Sequence, residues 1–369
     1  MIERILIAGG GTGGHVYPAV AVAEEVLTRN PNAQVAFIGT DRGMEARILP
    51  SLGYSLHTIT VSRLKGGGLP TRLLGLLRIP IAMFQSWRIM SKFKPQVVLG
   101  VGGYASGPTL LMAWLTCRRT AIQEQNATPG FTNRVLSKIA RKVFVGFGAA
   151  KKHFRASKVL ETGNPLRKSV TSALDGSTER SFSENRQLRV LVFGGSQGAA
   201  FLNEHVPSLL QTFQTRFPGI EVNVFHQTGK SGVESTQSLY EATTLTDSQW
   251  TVAGYINDMA TAYTNADLAI TRAGALTIAE LMAVGIPSLL VPFPFAADNH
   301  QEANARSLVE RGACHMIRQD AWKEGEIVDW LGDLAQDRTK LKDMSRAARG
   351  EARLDAAPTI VDHLEVLAA

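Results

Sequence analysis

Ile5-Leu6-Ile7-Ala8-Gly9-Gly10-Gly11-Thr12-Gly13-Gly14-His15-Val16-Tyr17-Pro18 runs from apolar residues through five glycines in six positions into the start of a helix. Such a run reads as a buried strand turning sharply into a helix that begins near His15, its regular part roughly Tyr17 to Thr28. Glycine lets the backbone take positive φ and lets a ligand come close to the main chain. The helix start aims unpaired N–H groups and the positive end of its dipole into the turn. That suits an oxyanion, a phosphate, or a sugar hydroxyl that is losing its proton. A second turn of the same build, Gly194-Gly195-Ser196-Gln197-Gly198-Ala199, follows the apolar run Leu188–Phe193. Two strand–glycine turn–helix starts, half a chain apart, imply an α/β protein of two Rossmann-like, doubly wound parallel-sheet domains facing across a cleft.

With 369 residues and 44% hydrophobic content the chain can fill two such cores. No uncharged apolar run of about twenty residues occurs, so no transmembrane helix is expected. The strand begins at once, leaving no room for a secretory leader. Cys117 and Cys314 lie far apart without metal-ligand spacing, which reads as two reduced core cysteines in a cytoplasmic protein.

The net charge of +7 is unevenly spread: between Glu45 and Glu161 the only acid is Glu124, against eighteen lysines and arginines. A one-sided field calls for an anionic partner, whether nucleic acid, membrane or phosphorylated substrate. Nucleic acid fits worst, because the basic half holds no recognisable RNA- or DNA-binding motif. From Leu69 to Phe93, apolar Leu73, Leu77, Phe84 and Trp87 interleave with Arg72, Arg78, Arg88 and Lys92. This matches an amphipathic segment in a membrane interface, each basic residue adding ~1 kcal/mol near anionic lipid. The plainer alternative is a core-facing helix with a solvated basic rim. Pro80 should start or kink this helix, and 62–70 reads as a flexible basic loop.

Strands are expected at 34–39, 54–61, 96–101, 120–123, 142–145 and 159–162, then at 190–193, 221–227, 250–254, 268–271 and 288–291. A third glycine-rich turn, Gly102-Gly103-Tyr104-Ala105-Ser106-Gly107-Pro108, and the run Glu124-Gln125-Asn126 both follow strands of the first half. Ligands of open parallel sheets sit beyond the carboxyl ends of the strands. These segments and the first turn should therefore line one crevice, with Glu124 as a functional carboxylate in a basic domain. Residues 163–167 read as a rigid crossing and 175–187 as a surface loop. Residues 344–369 read as helical and charged on one face, packing back on the first domain.

Several chemistries compete. Gly9-x-Gly11-x-x-Gly14 matches the dinucleotide fingerprint, with Asp41 as the acid a ribose requires. Gly194-x-Ser196-x-Gly198 matches a hydrolase nucleophile elbow, with Asp298 and either His315 or His363 to complete a triad. A non-catalytic, membrane-attached nucleotide-binding module is a third reading. Two segments of the second half favour a sugar nucleotide. Residues 266–280 form strand, glycine turn and helix, placing the amides of Ala275 to Thr277 at a helix start and Glu280 one turn in. Residues 292–305 add a polar cluster after the next strand.

The ordered set GGGTGGH (9–15), GGYASGP (102–108), EQN (124–126), GNPLR (163–167), GGSQGA (194–199), RAGALTIAE (272–280) and DNHQEANA (298–305) resembles one family. It is that of the UDP-N-acetylglucosamine–N-acetylmuramyl-(pentapeptide) pyrophosphoryl-undecaprenol N-acetylglucosamine transferases, the MurG-type glycosyltransferases. The resemblance covers nearly the whole chain. One departure is Gln123, where many members carry His; another is the run 294–297. The resemblance implies the GT-B arrangement, with an acceptor and membrane-facing domain at 1–162, a UDP-GlcNAc domain at 163–345 and a C-terminal helix, 346–369, packing back. It implies donor contacts at Thr12, Gly13, Gly14, Asn126, Arg167, Ser196, Ile256, Ala275, Leu276, Thr277, Ile278, Ala279, Glu280 and Gln301. Ile256 would offer main-chain groups to uracil, and Glu280 would take the ribose. The acceptor, undecaprenyl-linked muramyl pentapeptide, is assigned to Gly103, Tyr104 and Asn133. The expected place is the cytoplasmic face of the cell membrane, with cell-wall synthesis and division proteins as further partners.

Inversion at the anomeric carbon requires a general base for the muramyl C4 hydroxyl, and His15 is the leading candidate. Glu124 would do this instead or orient the acceptor. The departing UDP gains charge that helix N-termini and Arg167 can stabilise. The chain has no Asp-x-Asp, so neither a metal nor any other cofactor is expected.

Overall fold

The computed structural model describes residues 1–61, 69–171, 182 and 186–369, with only the backbone of 69–77. The expected basic loop at 62–70, most of the loop at 175–187 and the side chains of Leu73 and Leu77 lie outside the described residues. The chain divides into two compact units, unit 1 being Met1–Lys168 with Arg353–Ala369 and unit 2 Ser169–Ala352.

Unit 1 runs β1 (Arg4–Ala8), α1 (Gly13–Arg29), β2 (Gln34–Gly39), α2 (Glu45–Ser51), β3 (Ser55–Thr58), α3 (Leu69–Phe93) and β4 (Val97–Gly100). It continues α4 (Ser106–Leu115), β5 (Arg119–Glu124), α5 (Phe131–Leu136), β6 (Lys142–Val145) and β7 (Val159–Glu161), and α6 (Lys168–Thr171) spans the boundary. The seven strands are parallel in the order β3-β2-β1-β4-β5-β6-β7. Ile5 stands opposite both Val35 and Val97, so β1 is central.

Unit 2 runs β8 (Gln187–Phe193), α7 (Ala200–Arg216), β9 (Glu221–Gln227), α8 (Val233–Glu241), β10 (Trp250–Ala253), α9 (Met259–Asn265) and β11 (Leu268–Thr271). Next come α10 (Ala275–Val284), β12 (Ser288–Leu290), α11 (His300–Val309), β13 (His315–Met316), α12 (Glu324–Gln336) and α13 (Arg338–Gly350). Its six strands are parallel in the order β10-β9-β8-β11-β12-β13. The last helix, α14 (Ala356–Ala368), belongs to unit 1.

A strand buried on both faces must be apolar throughout, and β1 shows why. Ile5 and Ile7 pack with Val16, Val20 and Val26 of α1 and Ile360, Val361 and Leu364 of α14. Leu6 and Ala8 face the other way, onto Ala82 and Met90 of α3 and Leu110 and Ala113 of α4. In unit 2, Val190 and Val192 join Leu202, Val206 and Leu209 of α7 and Ile327 and Leu331 of α12. Burying a Val, Leu or Ile contributes about 1.5–3 kcal/mol, so these stripes fix which face each helix covers.

Three differences from the sequence reading have local causes. Helix α1 starts at Gly13, earlier than glycine's low propensity suggests, because Thr12 takes the extended N-cap conformation and its carbonyl accepts from His15 and Val16. Pro80 does not start α3 but lies inside it, the position at which a kink was the alternative. The tail is two helices, not one: α13 stays in unit 2, where Ser345 Oγ donates to Gly285 O at 2.7 Å, and only α14 returns. Arg353, between them, packs under Gly163, where any Cβ would meet its Cβ at 2.3 Å.

Candidate active site

In each sheet the strand order reverses once, between β1 and β4 and between β8 and β11. Crevices open at such reversals, beyond the strands' carboxyl ends. The motifs sit there: the first glycine turn follows β1 and the Gly102 turn follows β4. Likewise, the Gly194 turn follows β8 and Arg272–Gly274 follows β11.

In unit 1 the two loops are locked together. Ser106 Oγ donates to Ala8 O at 2.6 Å and accepts from Gly102 N–H at 3.2 Å. Gly102 and Gly103 have φ of 92° and 81°. A Cβ on Gly103 would strike Gly10 O at 2.3 Å, and one on Gly102 would come within 2.9 Å of His15 Nε2. His15, in the first turn of α1, thus lays its Nε2 edge on the Gly102 turn while Nδ1 lies 3.3 Å from Thr12 Oγ1. The tautomer that donates Nδ1–H to that hydroxyl carries its ring lone pair on Nε2. Tyr104 is exposed beside this point.

Glu124 closes the same region from β5. It is 2% exposed and its carboxylate is fully engaged. It accepts from Asn126 N–H at 3.0 Å, Gly130 N–H at 3.1 Å and Asn133 Nδ2 at 2.9 Å. Burial pushes its pKa up, while the three loop donors pull it down. The Asn133 amide also lies 3.7 Å from the Cβ position of Gly102, so Asn133, Gly102 and His15 converge. Gln123, the departure from the family pattern, is buried; its Nε2 donates to Asn164 Oδ1 at 3.0 Å, and Asn164 Nδ2 donates to Gln125 O at 3.0 Å. Asn164 belongs to the GNPLR crossing, which is therefore tied to the Glu124 loop. Arg167, at the end of that crossing, lies 4.1 Å over the Tyr17 ring of α1.

The first glycine turn differs from its sequence reading as an open oxyanion site. Glu45, from the first turn of α2, takes one of its amides: Gly11 N–H donates to Glu45 Oε2 at 2.7 Å. Asp41, the acid a dinucleotide site would use, is exposed. A cofactor pyrophosphate would have to displace Glu45, which removes the dinucleotide reading.

In unit 2, α10 begins at Ala275 after Gly274, an extended N-cap. Its first-turn amides, those of Ala275, Leu276 and Thr277, have no carbonyl of their own helix to bond. Ile278 and Ala279 are buried, and one turn in, Glu280 accepts from Tyr263 Oη at 2.8 Å. Arg272, at the end of β11, is 8% exposed. Its Nη1 donates to Val291 O at 3.1 Å and Pro292 O at 3.3 Å, and its guanidinium lies 5.5 Å from the Phe293 ring centre. It pairs with no carboxylate among the described residues. Burial lowers its pKa to about 10, leaving it charged at neutral pH. Gln301 Oε1 accepts from Phe293 N–H at 2.9 Å, fastening α11 to the same loop. The preceding Asp298 and Asn299 are both left-handed, with φ of 53° and 51°, a strain that collects at ligand-handling turns. Ile256 borders a cavity of about 460 Å³ that runs along the sheet face past Leu191, Phe225 and Tyr255. Ser196, Glu280 and Gln301 do not line it.

Of the sequence-assigned donor residues, Thr12, Gly13, Gly14, Asn126 and Arg167 lie in unit 1; Ser196, Ile256, 275–280 and Gln301 lie in unit 2. Glu45, Asn164, Tyr263 and Arg272 were given no role from sequence; the last two were visible only as a lone Tyr and a motif's first letter. The hydrolase reading fails on geometry. A nucleophile elbow needs a strained serine, and Ser196 is not among the described non-glycine residues with positive φ. His315 stacks on Trp330 at 5.0 Å, and His363 packs on Phe144 in unit 1. Among the described residues no cluster of His, Cys, Asp or Glu could hold a metal.

Two parallel-sheet α/β units with glycine turns at both reversals define a GT-B protein. Residues 5–145 match the glycosyltransferase family 28 N-terminal domain and 189–360 its C-terminal domain. The chain is 44% identical over 359 residues to a UDP-N-acetylglucosamine–N-acetylmuramyl-(pentapeptide) pyrophosphoryl-undecaprenol N-acetylglucosamine transferase of Anaeromyxobacter sp. (strain K), covering 97% of this chain and 91% of that one. It is 43% identical to the transferase of the same name from Geobacter metallireducens, covering 98% of each. The crystal structure of Acinetobacter baumannii MurG superposes with a TM-score of 0.80 at 34% identity, covering 98% of this chain and 99% of that one. The chain belongs to this transferase family.

Proposed function

We propose that the protein transfers GlcNAc from UDP-GlcNAc to the C4 hydroxyl of undecaprenyl-pyrophosphoryl-MurNAc-pentapeptide, with inversion, in peptidoglycan precursor synthesis. The observation that carries this is the match, over nearly the whole chain, to transferases named for that reaction. The muramyl alcohol is read as bound in unit 1 and the donor nucleotide in unit 2. His15 Nε2 accepts the C4 hydroxyl proton as that oxygen bonds to the anomeric carbon. The carbon–oxygen bond to UDP breaks, and its electron pair leaves with the diphosphate. Arg272 and the first-turn amides of α10 stabilise the added charge, with Ser196 beside them. Glu280 takes the ribose hydroxyls and Ile256 the uracil. Glu124 touches no reacting atom in this reading; it holds Asn126, Gly130 and Asn133 in place for the acceptor.

Unit 1 supports a membrane-surface role. On α3 the buried stripe is Ala82, Ser86 and Met90, and the opposite face exposes Ile81, Phe84, Trp87 and Arg88. Trp114 and Leu115 at the end of α4 are also exposed. No helix among the described residues is long and apolar enough to cross a membrane. An interfacial face rimmed by arginine and lysine is the arrangement that fits. Cell-wall synthesis and division proteins are further partners on the same resemblance.

The test is direct. Purified protein with UDP-[14C]GlcNAc and the undecaprenyl-linked muramyl pentapeptide is expected to yield labelled lipid-linked disaccharide. Folded protein that transfers no label defeats the proposal.

A further inference from the structure

Glu45 is a buried carboxylate with no cation beside it among the described residues. It is 1% exposed and makes no salt bridge among the described residues. Such a charge is costly unless hydrogen bonds replace water. Here they come from the main chain and one hydroxyl: Gly11 N–H at 2.7 Å, Thr40 N–H at 2.9 Å and Thr40 Oγ1 at 2.8 Å.

The chain is shaped around this group. A Cβ at Gly10 would lie 2.2 Å from the Glu45 carboxyl carbon, one at Gly39 2.6 Å from its Cγ, and one at Gly43 2.0 Å from Oε2. These glycines come from three places: the turn after β1, the end of β2, and the approach to α2. A surface acid caught by chance would not require all three to lack a side chain. Gly11, the main-chain donor, directly precedes Thr12, which caps α1 and contacts His15 Nδ1. The links Glu45–Gly11–Thr12–His15 are therefore continuous.

We infer that Glu45 is a positioning residue. Its carboxylate is the resident anion of the first glycine turn, and by holding Gly10 to Thr12 it sets the place of His15. This rests on the reading of His15 as the base. The Glu45→Ala substitution removes Cγ, Cδ and both oxygens, the heavy atoms of acetate. It leaves a space lined by the same N–H groups.

The experiment measures transfer by the full-length wild type, Glu45→Ala and Glu45→Gln, with thermal melts alongside. Inactive wild type would reject the function itself, not this inference. With active wild type, Glu45→Ala is expected to lose kcat by ~100-fold, the scale of a small misplacement of a reacting group, with KM for UDP-GlcNAc unchanged. Sodium acetate should restore about tenfold or more where sodium chloride at equal ionic strength does not. Glu45→Gln keeps the volume but turns an N–H toward a donor, so it should lose kcat without rescue; it carries the test if Glu45→Ala does not fold. Wild-type kcat in either variant, or a folded Glu45→Ala that acetate leaves unchanged, overturns the inference.

Discussion

In unit 1 the turn after β1 gives its Gly11 N–H to a carboxylate of its own chain. In unit 2 the loops after β11 and β12 enclose a guanidinium, Arg272, that among the described residues meets carbonyls and aromatic rings. Both follow the same plan of strand, glycine turn and helix start. What differs is the sign of the fixed charge built into them. Glu45 occupies the Gly11 amide of the first turn, so under the proposed function His15 beside it is the group left for the acceptor alcohol. Under the proposed function, Arg272, which pairs with no carboxylate among the described residues, and the start of α10 favour a diphosphate that gains charge as it leaves.

Removing the proposed base should break the unit 1 side most severely. His15→Ala is expected to lower kcat by ~10²–10⁴-fold, the usual worth of a positioned acid–base group, with the melting temperature unchanged. A loss below threefold would remove His15 from the chemistry. On the unit 2 side, Arg272→Met keeps length and loses charge. It should lower kcat/KM for UDP-GlcNAc by about 10–100-fold, the range of a hydrogen bond to a charged group. If Arg272→Met instead binds UDP-GlcNAc normally and only melts earlier, Arg272 is a structural brace.

How far this contrast could be read from the sequence depends on distance along the chain. The glycine turns and the parallel strands were legible, because strand–turn–helix patterns are local and apolar runs declare burial. Glu45 was not. Strand β2 ends at Gly39, so Asp41 looked like the acid at its tip. The chain instead folds back through Thr40–Gly43 and delivers the next acid inward, a reversal that only the three glycines hint at. Gln123 was visible as a departure, but its partner Asn164 is forty-one positions away and on another loop. Strand β13 is two residues long, too short to show any alternation. Arg272 looked like any motif arginine, since nothing local says that no carboxylate among the described residues approaches it.

The membrane face sharpens the comparison, because it is proposed for unit 1 alone. Phe84→Ser with Trp87→Ser should weaken binding to vesicles containing anionic phospholipid by about tenfold or more. Their rings lie 5.6 Å apart on the exposed face of α3. Unchanged sedimentation with vesicles would return α3 to an ordinary surface helix.

The smallest expected effect separates the units by acid response. His226 is wholly buried in unit 2, its Nδ1 3.0 Å from Tyr240 Oη, and burial lowers its pKa to about 3. The unfolded chain, with an ordinary histidine near 6.5, takes a proton first as pH falls. Stability from this group is thus complete above pH 6.5 and is lost as pH falls from there toward 3. Between pH 8 and 6 the loss is about 1 kcal/mol. Glu124 in unit 1 has the opposite sign. Its raised pKa means the folded state protonates first, so unit 1 gains as pH falls toward the ordinary carboxyl value. Calorimetric melts at the two pH values should show the unit 2 transition moving down, and His226→Gln should abolish that shift. An equal shift in the variant would assign it to other groups.

The division of labour between the units is tested most directly by titration calorimetry of UDP-GlcNAc into full-length His15→Ala and Glu280→Gln. The expected result is wild-type donor affinity in His15→Ala and affinity weakened about tenfold or more in Glu280→Gln. Weakened donor binding in His15→Ala with normal binding in Glu280→Gln would contradict the assignment of alcohol to unit 1 and nucleotide to unit 2.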